Sequence, residues 1–175
     1  PYAESKFQNE ADLFNLVNDN TGVHVLRFFN VYGPGQGTES NYAAVIPSFV
    51  EKIISGKSPT IFGDGSQSRD FVEVSDVVSI ILQILADQNN VPNDVYNVAT
   101  QTETSILELL QLISKSVTEI DPSIPIPKVN HQDKRSGDID ISLADIAKVK
   151  SAFNWQPKQS IEEGIASLVA FELGS

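Results

Sequence analysis

The sequence predicts an α/β protein, and three observations carry that expectation. Segments of helical and of strand-like patterning alternate along the 175 residues. An amphipathic stretch at the amino end feeds a near-continuous apolar run, Val23 to Val31, rich in β-branched and aromatic residues, the pattern of a strand buried on both faces of a parallel sheet. Beyond the run stands Gly33-Pro34-Gly35-Gln36-Gly37, where the carboxyl end of such a strand would present a ligand-facing loop.

Taken in order, the first helix is expected from Tyr2 to about Asn18. Phe7, Ala11, Phe14 and Val17 recur at helical spacing, Leu13 and Leu16 widen the stripe, and Asn20-Thr21-Gly22 closes it. The glycines after Val31 open no helix directly, so they form a turn and not a dinucleotide fingerprint. Pro47 suits the first turn of a short helix that buries Val50, Ile53 and Ile54 and stops at Gly56. Thr60-Ile61-Phe62 is a short strand followed by the turn Gly63-Asp64-Gly65, and Phe71 to Val74 is another. Ser75 or Asp76 is expected to cap an apolar helix from Val77 to about Ala86, ahead of a strand from Val95 to Ala99. Ser105 with Glu108 has the capping-box spacing for a helix carrying Leu107, Leu110 and Ile113. Pro122, Pro125 and Pro127 mark an extended loop, and Lys134 to Asp138 a polar loop with two cations. Ser142 is expected to open a helix running to about Phe153, and Ser160 with Glu163 opens the last one.

Composition narrows the function classes. Lys plus Arg number 12 against 23 Asp plus Glu, a net charge of −11 that excludes nucleic acid or an anionic membrane surface as the main partner. Without cysteine there is no disulfide, thiolate metal site or cysteine nucleophile. His24 and His131 lie far apart in sequence and are expected to hold no metal and do no catalysis. No apolar run approaches the ~18 residues of a membrane span and no signal peptide is visible, so a soluble, cytoplasmic setting is expected. The chain starts at Pro1 without an initiating Met and is expected to be part of a longer polypeptide.

Chemistry centres on Tyr2-Ala3-Glu4-Ser5-Lys6. In a helix Tyr2 and Lys6 stand one above the other, a phenol beside an ammonium. A phenol ionises near ~10, so a phenolate base at neutral pH needs a shift of about 3 units, roughly 4 kcal/mol. A neighbouring cation supplies about 1–3 units. A second positive charge, such as an oxidised nicotinamide ring, would complete the shift.

Four motifs then add up in order: Tyr2 to Lys6; Leu26-Arg27-Phe28-Phe29-Asn30-Val31-Tyr32-Gly33-Pro34; Ile61 to Phe71 with its Gly63-Asp64-Gly65 and Arg69-Asp70; and Arg135-Ser136-Gly137-Asp138 with Leu143-Ala144-Asp145. Together they resemble the extended short-chain dehydrogenase/reductase family. Tyr42-Ala43-Ala44-Val45-Ile46-Pro47 is similar to the uridine-binding segment of its UDP-hexose 4-epimerases. The resemblance implies the carboxyl-terminal half of an extended Rossmann-type nucleotide-sugar enzyme. Residues 1–36 would end the dinucleotide-binding domain and its parallel sheet, and residues 37–175 would form the smaller nucleotide-sugar-binding α/β domain.

The same resemblance implies NAD as cofactor and a UDP-sugar as substrate, with 4-epimerisation through a transient 4-keto-sugar. Tyr2 would be the base, and Lys6 would hold the nicotinamide ribose and lower the Tyr2 pKa. Phe29 and Val31 would border the nicotinamide through their main chain. Asn30 would contact the diphosphate or sugar. Arg69 and Arg135 would bind phosphate in charge-assisted pairs. Asp138 would accept from the ribose hydroxyls. Val45, Ile61 and Phe62 would line the uracil, or else be ordinary core. Ser142 would border the sugar's 2-substituent and leave room for an N-acetyl group. The first helix would support a homodimer, or bury its stripe within the monomer. A nucleotide-sugar 4,6-dehydratase or decarboxylase remains an alternative on the same fold, and a non-catalytic nucleotide-sugar-binding lobe an alternative of another class.

Overall fold

The structure, a computed structural model, describes residues 2–18, 20–37, 44–86 and 91–174, Tyr2 by its backbone alone. Its elements are α1 (Tyr2–Phe14), β1 (His24–Phe28), β2 (Asn30–Tyr32), α2 (Val45–Ile54), β3 (Thr60–Phe62), β4 (Ser68–Arg69), β5 (Phe71–Glu73) and α3 (Val74–Ala86). There follow β6 (Asp94–Val98), β7 (Thr104–Ser105), α4 (Ile106–Ile120), β8 (Asn130–Gln132), β9 (Ile141–Ser142), α5 (Ala147–Phe153) and α6 (Ile161–Leu173). Pairing is mostly parallel, β1 with β6, β2 with β5 and β3 with β8. The short strand β4 pairs antiparallel with β7 and parallel with β9.

The apolar run Val23–Val31 is two strands and not one. At Phe29 the chain changes partner: the Phe29 N–H still donates to the Val98 carbonyl at 3.1 Å, while the next N–H, of Asn30, donates to the Asp70 carbonyl at 3.1 Å. Nor is β1 buried on both faces, since Arg27 and Phe28 are exposed and Leu26 packs against one core only.

Two apolar cores share β5, because successive strand residues point to opposite faces. Phe71 joins a core built by α2, α4 and α6 around Phe49, Ile53, Ile61, Leu109, Ile113 and Leu168. Val72 joins a core of Val77, Ile80, Tyr96, Val149, Phe153 and Trp155 between α3, α5 and β6. Between the two lies Asp70, fully buried. Its carboxylate accepts from the Thr100 N–H (2.8 Å) and hydroxyl (2.7 Å), the Gln101 N–H (2.9 Å) and the Ala144 N–H (3.2 Å). One side chain thus ties the strand bearing Arg69 to the ends of β6 and β9, with every partner an N–H or O–H donor.

Long-range bonds also move several expected boundaries. Ser142 opens no helix: it lies in β9 opposite Arg69, the Asp70 bond to Ala144 keeps the chain from coiling, and α5 begins only at Ala147. The helix expected from Val77 begins at Val74, where the Glu73 carboxylate receives the Ser75 N–H at 2.6 Å. Asp76 does not cap that helix; buried, it accepts from the N–H groups of Lys158 (3.0 Å) and Gln159 (3.1 Å) and sets the approach to α6. On α4 the buried face is Ile106, Leu109, Leu110 and Ile113, leaving Leu107 exposed. Both capping boxes form, at Ser105/Glu108 and Ser160/Glu163.

The first helix stops at Phe14, short of Asn18, and its apolar stripe is not internal. Phe7, Leu13, Leu16 and Val17 are exposed, and α1 is held to the sheet by an ion pair: the Arg27 Nε and Nη2 donate to the two Glu10 oxygens, each at 2.7 Å.

Candidate functional site

A cavity of about 420 Å³ opens where α2 faces β3, β4 and the loop after β8. The face of α2 that lines it is Val45, Ser48, Phe49 and Lys52, residues at i, i+3, i+4 and i+7, the single stripe a docked helix presents. Thr60, Ile61 and Phe62 of β3 and Gln132 of β8 form the opposite wall, and Arg69, Arg135, Asp138 and Asn30 complete the lining. Asn30 opens β2, two residues past the end of β1, so the cavity lies at the carboxyl end of a parallel strand, where α/β sheets receive ligands. The turn at Gly65 is tight: its φ is +83°, and a Cβ there would come within 3.2 Å of Ile61 Cγ2.

Seven of the expected substrate residues are brought together here: Asn30, Val45, Ile61, Phe62, Arg69, Arg135 and Asp138. Arg69 is preorganised. Its Nη1 donates to the carbonyls of Ser68 (2.7 Å) and Ile139 (2.6 Å), and its Nη2 to Asp138 Oδ1 at 2.5 Å. Asp138 therefore spends one oxygen on Arg69. Arg135 lies over the Phe62 ring, its Cζ 3.8 Å from the centroid, an arrangement that holds a guanidinium without neutralising it. Arg135 and Lys52 have no carboxylate partner among the described residues. Three cations thus face one carboxylate inside a chain of net charge −11, and the cavity favours an anion of about two charges. Ser142 is not part of the wall; half-buried, it pairs beside Arg69 one strand away.

Lys52, Ser48, Thr60, Gln67 and Gln132 line the cavity without having been picked out from sequence. The signal for Lys52 is its place seven residues after Val45 on one helix face. Gln67 donates from Nε2 to the Phe62 carbonyl at 2.9 Å and so steadies the wall. A second cavity, of about 490 Å³, lies between the amino ends of α4 and α6. There Glu103, Glu108 and Glu162 outnumber Lys115, which makes it a poor receptor for a diphosphate.

The expected Tyr2 and Lys6 lie on α1. Glu10, one turn after Lys6 on α1, binds Arg27 of β1. The Arg27 hydrogen bond, chiefly, holds the Glu10 carboxyl below its usual range. The Tyr2 hydroxyl, and with it the expected contact to the Lys6 ammonium, lies outside the described side chains. The main-chain donors at Phe29 and Val31 are engaged within the protein, with Val98 and with Phe29 itself (2.9 Å), leaving these residues contact surface rather than hydrogen bonds for a cofactor. For a dinucleotide's diphosphate, no Gly-rich strand–turn–helix is found among the described residues. Among those residues no group of three His, Asp or Glu side chains suits a metal, and no helix is long and apolar enough to cross a membrane.

Parallel strands ending on a cation-rich cavity, with a Tyr-x-x-x-Lys helix feeding the first strand, define a Rossmann-type α/β protein. The chain belongs to the NAD dependent epimerase/dehydratase family, whose model matches residues 1–99. It is 35% identical, over 97% of its length and 52% of the relative's, to a putative UDP-glucose 4-epimerase of Methanocaldococcus jannaschii. It is 33% identical, over 85% of its length and 32% of the relative's, to UDP-glucuronic acid decarboxylase 1 of Arabidopsis thaliana. Among solved structures it superposes with a TM-score of 0.86 and 35% identity on the UDP-N-acetylglucosamine 4-epimerase of Methanobrevibacter ruminantium M1 in complex with UDP-N-acetylmuramic acid, covering 99% of this chain and 54% of that one. The chain spans about half the length of the epimerases it matches.

Proposed function

We propose that the protein is an NAD-dependent 4-epimerase of UDP-sugars, acting on UDP-glucose/UDP-galactose and on the corresponding N-acetylhexosamine pair. The observation that carries the reading is the cation surplus of the cavity at the carboxyl end of β1, with Arg69 already aimed by Asp138 and Arg135 held on Phe62. Two guanidinium groups match the two charges of a UDP diphosphate and meet its oxygens through charge-assisted hydrogen bonds. Val45 and Phe62, backed by the buried Ile61, supply the apolar surface for the base, and the free oxygen of Asp138 accepts from a ribose hydroxyl. Asn30, in the cavity lining, contacts the sugar, on which Tyr2 and Lys6 act.

Tyr2, as phenolate, removes the proton of the sugar's 4-hydroxyl. NAD, when bound, would supply the acceptor and donor of the hydride exchanged at the sugar's C4. Between the two events the 4-keto-sugar turns over, pivoting on the diphosphate that Arg69 and Arg135 keep in place, and Tyr2 gives the proton back. Lys6 holds the ribose hydroxyls and lowers the Tyr2 pKa, while Phe29 and Val31 pack beside the ring. Acceptance of a 2-N-acetyl group is in keeping with the UDP-N-acetylglucosamine 4-epimerase on which the chain superposes, while Ser142, expected to border that group, lies beside Arg69 and outside the cavity wall. The division into a cofactor part, residues 1–36, and a nucleotide-sugar part, residues 37–175, belongs to the same proposal, as does a homodimer through α1.

NMR of the products made by the intact protein from UDP-glucose with NAD tests the reaction: an equilibrium mixture with the 4-epimer is expected, and Tyr2→Phe abolishes turnover while leaving UDP binding intact. A 4-keto-6-deoxy product, or a pentose from UDP-glucuronic acid as the Arabidopsis relative's name suggests, would replace this reading by a dehydratase or a decarboxylase. Binding of UDP with no turnover of any of these sugars would leave the non-catalytic lobe.

A further inference from the structure

From the cavity we infer that Lys52 reads the base of the nucleotide and makes the site select uracil or thymine over cytosine. This rests on the nucleotide-sugar reading above and adds a residue to it. Lys52 lines the cavity in the last turn of α2, half-buried, and no carboxylate or carbonyl among the described residues accepts from its ammonium. A lysine on the outer face of a helix reaches solvent freely; this one shares its stripe with Val45, Ser48 and Phe49 and is turned to the ligand space.

Its position along the cavity separates it from the arginines. The Lys57 N–H donates to the Lys52 carbonyl at 2.7 Å, folding the chain back so that Thr60 begins β3 three residues later, at the Lys52 end. Arg135 covers Phe62, the far end of β3, about 6–7 Å away along the strand. The phosphate-binding guanidiniums and the ammonium therefore serve different parts of one extended ligand. The part-exposed apolar lining, Val45 and Phe62 with the buried Phe49 and Ile61 behind it, offers a face to a flat ring. At the edge of that ring uracil and thymine carry a carbonyl oxygen at position 4, whereas cytosine carries an amino group there. An ammonium has three donors and no acceptor, so it bonds the first and opposes the second.

The test is calorimetric titration of the intact protein with UDP, CDP and uridine. The wild type is expected to bind UDP at least tenfold more tightly than CDP. Lys52→Met weakens UDP and uridine about tenfold and brings the UDP and CDP affinities together, whereas Lys52→Arg keeps the preference. Arg135→Met weakens UDP and CDP equally and leaves uridine unchanged. A Lys52→Met protein of unchanged melting temperature that loses UDP and CDP affinity in equal measure would make Lys52 a phosphate contact and overturn the inference, as would one that loses neither. A wild type that binds UDP and CDP equally also overturns it while leaving the epimerase reading standing. A wild type that binds no UDP sinks both.

Discussion

Arg69 and Arg135 look alike in sequence but sit under different constraints, and their removal has different consequences. Arg135 is held by a ring contact worth about 0.5–1 kcal/mol, so Arg135→Ala is expected to leave stability nearly unchanged. It should lower UDP affinity about ten- to a hundredfold, the loss of one or two charge-assisted bonds. Arg69→Ala should cost similar affinity and in addition about 1–3 kcal/mol of stability by urea unfolding, since Asp138 and the carbonyls of Ser68 and Ile139 lose their donor. Tyr32 gives a pH dependence. Burial first, then the carboxylates of Glu73, Asp76 and Glu162, push its ionisation well above the usual phenol range. The folded state thus prefers the neutral phenol: this stability is fully present below the unfolded value near ~10 and is lost as pH rises above it. Melting temperatures recorded upward from about pH 8 should fall beyond about pH 10, and less steeply in Tyr32→Phe. Tyr96, raised by burial and by Asp94, adds a contribution of the same sign that remains in that variant. The arginines were legible as motif positions. Lys52 was not, because a lysine in a helix declares its direction only when the helix is docked.

At the scale of elements, α6 reaches β2 only because residue 164 is glycine. A Cβ on Gly164 would overlap the Tyr32 hydroxyl and stand 2.9 Å from its Cζ, and Tyr32 is core. Gly164→Ala should therefore destabilise by about 1–3 kcal/mol, as overpacking does, and Tyr32→Phe in the same chain should recover part by removing the oxygen; paired denaturation curves measure both. Which elements could be read in advance follows from range. The capping boxes at Ser105/Glu108 and Ser160/Glu163 close over three residues and formed as expected. The helix start at Ser142 did not, because Asp70, 74 residues from Ala144, keeps that segment extended. Asp76 has the composition of a cap, yet its acceptor atoms go to residues more than 80 positions on.

For the whole molecule, the exposed apolar residues of α1 and the turn after it, led by Phe7 and Leu16, support the homodimer proposed above. Light scattering should find two copies, and Phe7→Glu one, with the far-ultraviolet spectrum unchanged. The alternation of helices and strands, the turn at Gly63 to Gly65, the capped helix starts and the four family motifs were all determined by the sequence alone. Each rests on a period of 2 or 3.6 or on contacts within a few residues. Only the tertiary structure decided that the apolar run breaks at Phe29, that β5 divides two cores, that Asp70 joins them and that Lys52 enters the cavity with Arg69 and Arg135. The reason is physical: each of these depends on partners brought from distant parts of the chain, and no local pattern records which buried donor a carboxylate will meet.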